Sequence, residues 1–259
     1  MNQPLPDSPV VNDYDRTAAD RQKALQSGKS MPHRFVEKPA MKKLIPNLTG
    51  KKVLMLGCGT GEESLLLEEF GAADMLGIDL SVESVRLANE TYPAHKFIAG
   101  DIHTLPFDDT SFDFVYSSLT IHYSETPLQV YQEIMRVLKP DGKLQFSVGH
   151  PLRWASERTT IDGRTAKLMG YTEGDEPVRR YGSYMDFDLY KETFMSGETL
   201  QFWVGPPSMH FALLREVGFN VTAFVETRAI EEAKDVELNY FDRFNHFPQF
   251  TIFSAEKPS

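Results

Sequence analysis

VLMLGCGTGEES, residues 53–64, decides the fold. Four apolar residues run into three glycines, Gly57, Gly59 and Gly61, and two acids then open a helix-like stretch. A buried strand that ends in a glycine turn and restarts as a helix is the first unit of a nucleotide-type βαβ layout. Its bare backbone lets a ligand approach closely. The spacing limits which ligand. A dinucleotide fingerprint carries its third glycine five residues after its first; here that position is Glu62. A carboxylate there opposes a pyrophosphate. The loop therefore suits a nucleoside ligand without phosphates, and an NAD oxidoreductase is the weakest reading.

Outward from the loop a rhythm appears. KKVLML reads as a strand, EESLLLEEF as a helix, ADMLGID as a strand, VESVRLANET as a helix and HKFIAGD as a strand. FDFVYSS is a further strand, followed by the helix PLQVYQEIMRVL and the strand KLQFSVG. Alternating strands and helices predict a parallel sheet covered on both faces, whose strands need no polar alternation. After Pro151 the rhythm stops, and residues 151–206 are rich in aromatic and charged side chains. It recovers with the helix SMHFALLREVG and the strands NVTAFVET and FPQFTIFSAEK. Residues 151–206 therefore read as an insertion after the fifth strand, placed to cover a site; a decorative surface subdomain is the alternative. Residues 1–12 read as a loose tail. Residues 14–48 are dominated by helical patterns, and Pro39 suits the first turn of a short helix.

Two acids sharpen the ligand. Asp79 ends the second strand about 20 residues past the loop, where an acid meets ribose hydroxyls in such folds. Asp101 ends the third strand, placed to accept from an adenine amino group beside the backbone N–H of Ile102.

GCGTG, GIDLS, GDIHTLPF, SFDFVYSSLTIHY and RVLKPDGKLQFSVGHP occur in that order over residues 50–151. In series they resemble the class I S-adenosylmethionine-dependent methyltransferases, in the small-molecule branch that includes the ubiquinone-biosynthesis enzymes. The resemblance implies a Rossmann-like α/β fold: a doubly wound seven-stranded sheet with its last strand antiparallel. It implies S-adenosyl-L-methionine as cofactor across the strand C-termini. It puts Gly57, Cys58, Gly59 and Gly61 at the amino-acid part, Asp79 and Leu80 at the ribose and adenine edge, Asp101 and Ile102 at adenine, and Ser117 near the methionine portion. The chain departs from the family at Met55, where an acid is usual. The expected division is an N-terminal tail and helical cap over 1–49 and a methyltransferase domain over 50–259, with 151–206 as inserted lid.

The sulfonium is already activated, so the expected chemistry needs alignment of the acceptor and exclusion of water, with no metal. A base is needed only where the nucleophile carries a proton. His122 and His150 follow the fourth and fifth strands and are the candidate catalytic residues. For His122, packing against cofactor or core is an equal alternative; for His150, a capping role is favoured. Tyr123 follows His122, and Trp203, His210 and Glu226 are further acceptor-side candidates.

The whole chain agrees with a soluble, cytoplasmic enzyme acting on something small. It has 259 residues and a net charge of −10 with no basic block, which opposes nucleic-acid binding. No apolar run is long enough to span a bilayer, and the N-terminus does not read as a secretory signal. One cysteine, Cys58, allows no intrachain disulfide and argues against arsenic methylation. An RNA or protein methyltransferase, or a cofactor-binding protein without transferase activity, are the competing functions. The sequence leaves the acceptor, the methylated element and the oligomeric state open.

Overall fold

The computed structural model describes residues 15–20, 22–23, 32–174, 177–193 and 199–259. The expected tail over 1–12 and Tyr14 lie outside the described residues.

The first half of the sheet follows the glycine turn as read. Strand β1 (Lys52–Leu56) leads into helix α2 (Glu63–Glu68), β2 (Asp74–Asp79) into α3 (Val82–Thr91), and β3 (Lys96–Ala99) closes that half. The chain then crosses to β4 (Phe112–Ser117), α4 (Pro127–Val137) and β5 (Leu138–Gly149). After the segment 151–206 it returns through α6 (Pro207–Val217), β12 (Asn220–Glu226), α7 (Leu238–His246) and β13 (Phe250–Glu256). The seven strands lie in the order β12-β13-β5-β4-β1-β2-β3. Only β13 runs against the others, pairing antiparallel with both β5 and β12. This is the doubly wound sheet with an antiparallel last strand.

Alternation along β1 explains the two layers. Leu54 and Leu56 face a core shared with Val130, Tyr131 and Ile134 of α4 and with Leu214 of α6. Val53 and Met55 face the other core, with Leu66 and Leu67 of α2, Ala88 of α3 and Met41. Met41 belongs to the short helix α1 (Lys38–Lys42), which carries Pro39 in its first turn, where the missing N–H costs nothing. The sequence signal for β1 was a continuous apolar run because both faces are dry.

Two elements differ from the sequence reading. The fifth strand begins at Leu138, opposite Phe112, and absorbs the KPDG turn, with Asp141 at φ +60°. Helix α7 lies between the last two strands where no element was read. It buries one side chain fully, Phe244.

The described residues of 151–206 form a short helix, α5 (Pro151–Trp154), and three antiparallel strand pairs: β6/β7 (Glu157–Ile161, Arg164–Leu168), β8/β9 (Gly170–Tyr171, Arg180–Tyr181) and β10/β11 (Asp188–Thr193, Thr199–Val204). They leave the sheet at the C-terminal end of β5.

Phe253 of β13 stacks on Phe146 at 5.1 Å and both are fully buried. Phe253→Ala is expected to cost about 3–5 kcal/mol from lost burial plus the cavity left behind, measured by urea denaturation.

Candidate active site

Strand order reverses between β1 and β4, so the crevice lies above their C-terminal ends. The glycine loop forms one lip. The Gly57 and Cys58 N–H groups donate to the Ile78 carbonyl at 2.8 and 3.1 Å, and the Gly59 N–H donates to Asp79 Oδ2 at 2.8 Å. Asp79 Oδ1 accepts from the Ser81 N–H at 2.9 Å. The loop is thus hung from the end of β2. Gly57 has φ +63°, and a Cβ there would lie 2.1 Å from Thr120 Oγ1. Only glycine meets both demands. Gly59, at φ +50°, has nothing within 4 Å of its absent Cβ, so that side of the loop is open. Gly61 packs against Ala88, Tyr92 and Phe97, where it serves the fold.

Beside the loop, the Gly100 N–H donates to the Asp79 carbonyl at 2.9 Å, which holds Asp101 next to Asp79. His103 engages Asp101 Oδ1 twice, through its backbone N–H at 2.9 Å and its ring Nδ1 at 2.6 Å. The far ring nitrogen meets Ser124 Oγ at 2.7 Å. The bond from the His103 ring, with its charge and backbone N–H, outweighs partial burial and holds the Asp101 carboxyl below its usual value. Asp101 is therefore ionised and oriented, and Oδ2 accepts no bond from the described residues. Leu80 and Ile102 sit half-buried beside these acids. His103 carried no motif signal beyond its place two residues after the acid.

The opposite lip is the exit of β4. Leu119 has φ +50°, a left-handed conformation that costs a non-glycine residue of order 1 kcal/mol. Side chains from two other elements hold it. The Leu119 N–H donates to Ser147 Oγ at 3.0 Å, while the Ser147 and Ser118 hydroxyls donate to Glu37 Oε1 at 2.7 and 2.9 Å. Glu37 is completely buried, and burial above all raises its carboxyl pKa. Its Oε2 has no hydrogen bond, and His33 Nε2 is 3.5 Å away. The sequence reading missed Glu37; the one signal was a carboxylate set in the apolar run around RFVEKPAM. Ser117, the last residue of β4, is fully buried and its hydroxyl has no partner among the described residues.

The two candidate histidines bracket the end of β5. His122 is buried, and its Nδ1 accepts the Gly149 N–H at 3.2 Å. Its proton therefore sits on Nε2, which is buried without a partner. Burial, with a smaller contribution from His210, pushes its pKa down to about 3. In this conformation the ring presents an N–H and no free lone pair, so the geometry favours a donor or packing role over a base. Phe202 from the insertion closes over it at 5.1 Å. His150 caps α5: Nδ1 accepts the Leu152 N–H at 3.2 Å and Nε2 meets Glu226 Oε1 at 3.0 Å. Both of its nitrogens are thereby engaged. His210 lies in the core, bonded to the Tyr131 hydroxyl at 2.8 Å, and Trp203 stacks on Phe187 within the insertion at 5.4 Å. Tyr123 packs on Phe202 at 5.3 Å. The structure thus brings the glycine loop, Asp79, Asp101, Ser117 and His122 to one edge and turns His150 and His210 to other work.

At the outer edge, Asp15 reaches the start of α3, accepting from the Ser81 hydroxyl at 2.5 Å and the Glu83 N–H at 3.2 Å. The described N-terminal residues therefore dock beside Asp79. The position of the usual family acid, Met55, is filled by a buried side chain beside Tyr116. The Tyr116 hydroxyl donates to Glu63 at 3.1 Å. Among the described residues no group of acids, histidines and cysteine could hold a metal, and no helix is long and apolar enough to cross a membrane.

Residues 54–146 match the family model described as a methyltransferase domain. A malonyl-[acyl-carrier protein] O-methyltransferase of Pectobacterium atrosepticum is 33% identical over 40% of this chain and 41% of its own length. A demethylmenaquinone methyltransferase of Renibacterium salmoninarum is 37% identical over 39% of this chain and 43% of its own. The chain spans half or less of the length of the first curated relatives it matches. A solved structure from Listeria monocytogenes, assigned to the S-adenosylmethionine-dependent methyltransferases, superposes with a TM-score of 0.71 at 27% identity. That match covers 86% of this chain and 97% of the other. By its matched domain and its fold the chain is similar to the S-adenosylmethionine-dependent methyltransferases, a family whose cofactor is S-adenosylmethionine.

His122 and His210, with pKa values near 3 and 4, stay neutral where an unfolded histidine, at roughly 6.5, takes up a proton. The unfolded chain then binds more protons, so these groups lower stability as pH falls from about 6.5 toward 4. Their ring resonances are expected not to titrate above pH 5 in a histidine NMR titration, with His122 showing the Nε2–H tautomer.

Proposed function

We propose that this chain binds S-adenosylmethionine across the C-terminal ends of β1, β2 and β3 and transfers its methyl group to a small-molecule acceptor at the exit of β4. The observation that carries the reading is the loop Gly57–Gly61 hung from Ile78 and the Asp79 carboxylate, with Asp101 locked beside it. The donors and acceptors suit the ligand. The open face of Gly59 admits backbone-close contact with the amino-acid part. The Asp79 carboxylate, at the end of β2, is of the acceptor type that ribose hydroxyls require. Asp101 Oδ2 is placed for the adenine amino group beside the Ile102 N–H. The buried Ser117 hydroxyl supplies a partner near the methionine chain. Glu62, whose carboxylate accepts from the Thr60 hydroxyl at 2.6 Å, tolerates a cationic ligand and opposes a diphosphate.

Bound there, S-adenosylmethionine supplies a methyl group on a sulfonium that leaves as a neutral thioether. The chain's part is positioning and drying. The Leu119 turn, fixed by Ser147 and Glu37, sets the wall that an acceptor meets. His122 presents Nε2–H from a dry pocket, and Phe202 and the insertion cover it. We read 151–206, with the N-terminal residues that dock through Asp15, as the cover over cofactor and acceptor, and the whole as acting in the cytoplasm. The relative named a demethylmenaquinone methyltransferase supports a small acceptor. The malonyl-[acyl-carrier protein] relative makes a carrier-borne acceptor the second reading.

Incubation with methyl-labelled cofactor and a fractionated metabolite extract tests the reading: label should pass to a low-molecular-weight fraction. Label recovered only on protein or RNA, or none across all fractions, would overturn it. Asp79→Ala is expected to weaken binding of S-adenosylhomocysteine by roughly 1.5–3 kcal/mol, the worth of hydrogen bonds to a charged group, by calorimetry. Unchanged affinity in the folded variant would remove Asp79 from the ribose.

A further inference from the structure

The chain carries a net charge of −10, yet four cationic side chains gather where the insertion leaves β5. Arg153 of α5 donates to Glu192 Oε1 at 2.7 Å, with Arg158 Nη2 at 3.9 Å and Lys167 Nζ at 4.0 Å from the same oxygen. Lys167 also donates to the Arg153 carbonyl at 2.9 Å. Arg243 of α7 lies over the rings of Tyr240 and Phe244 at 4.9 and 4.5 Å and adds its charge to the group. Among the described residues Glu192 is the one carboxylate bonded to the group. Glu157, on the same hairpin, pairs with Arg179 at 3.7 Å, and Glu237 lies toward Tyr240.

Such an arrangement is costly without an anion. Arg153, Lys167 and Glu192 have side chains only 24%, 27% and 14% exposed, so solvent screens their repulsion poorly. Burial first, then the charge of Arg153, drops Lys167 to about 8, and Glu192 only partly offsets this. Ordinary surface lysines are spread so that this repulsion does not arise. Here two arginines and a lysine share one carboxylate oxygen, and their remaining donors have no acidic partner among the described residues. Arginine's fixed fork and lysine's point charge together suit an oxyanion.

Position ties the cluster to the crevice. Arg153 lies over the Trp154 ring at 4.8 Å, Trp154 packs on Phe202 at 4.5 Å, and Phe202 packs on His122 at 5.1 Å. Two aromatic rings separate the cations from the β4 exit. We infer that Arg153, Lys167, Arg158 and Arg243 form an oxyanion subsite that holds a carboxylate or phosphate of the acceptor, away from the atom that is methylated. The inference rests on the methyltransferase reading for the word acceptor, and on the geometry alone for the anion.

The test uses the full chain with Trp203→Phe, which leaves Trp154 as the sole tryptophan and reporter. Inorganic phosphate and malonate are titrated separately at constant ionic strength set by chloride. A saturable change in Trp154 emission is expected with at least one of them, and the tighter anion identifies the group. Arg153→Gln, or Lys167→Gln on the exposed hairpin, should raise the half-saturation concentration at least tenfold. Arg86→Gln, whose partners are Glu83 and Glu90, should not. A response no different from that of chloride, or one that persists in Lys167→Gln, overturns the subsite. S-adenosylhomocysteine affinity, measured on the same proteins, should stay within about twofold in Lys167→Gln. A wild-type chain that binds no S-adenosylhomocysteine defeats the methyltransferase reading while the anion titration still judges the cluster.

Discussion

The end of β2 organises this molecule. One carbonyl, Ile78, receives two consecutive N–H groups of the glycine loop, and the next residue's carboxylate receives a third. Asp79 also orders its own downstream turn through the Ser81 N–H, and its carbonyl takes the Gly100 N–H at the end of β3. Three strand ends are thereby tied through two residues. The glycine loop cannot sag into the crevice, and Asp101 cannot drift from Asp79. Preorganisation of this kind removes ordering that a ligand would otherwise have to impose.

The first half of the fold was legible because its physics is local. Short apolar runs such as Val53–Leu56 and Phe97–Ala99, each stopped by glycine, read directly as strands covered on both faces. The loop's glycines could be assigned to ligand or fold only with the structure. Gly57 is demanded by Thr120, 63 residues away in sequence, and Gly61 by Phe97 and Tyr92; no spacing rule contains those contacts. The β4 lip was legible only in part. Ser117 and His122 lie on the motif strand's own exit, but the residues that shape the turn, Glu37 and Ser147, arrive from elements 81 and 29 residues from Ser118. A lone glutamate in a helical apolar run offers no partner to the eye until the sheet edge brings two serines to it. Within the insertion, hydrophobic periodicity fails because short two-stranded hairpins bury little; β6 and β7 have no fully buried side chain.

Charge is distributed by layer. The glycine lip carries carboxylates, Asp79, Asp101 and Glu62, which suit a cationic nucleoside. The insertion carries Arg153, Arg158 and Lys167, and α7 adds Arg243. The opposite signs stand on either side of the neutral His122 ring. A field of one sign attracts a ligand of the other and repels its own.

The β4 exit itself is where the structure spends stability. Within a few residues of Leu119 lie a left-handed non-glycine turn and three buried polar atoms without a hydrogen bond: Glu37 Oε2, Ser117 Oγ and His122 Nε2. Each unmet group costs about 1–3 kcal/mol when kept from water. A fold optimised only for stability would replace them by apolar side chains of similar shape, which is nearly neutral. They differ in kind as well: an acceptor from the carboxylate, a donor from the imidazole, and either from the hydroxyl. Of the three, Glu37 Oε2 has the His33 ring 3.5 Å away, while Ser117 Oγ and His122 Nε2 have no hydrogen-bond partner among the described residues. The burial that holds the His122 ring neutral also fixes its orientation, with Nδ1 taken by the Gly149 N–H.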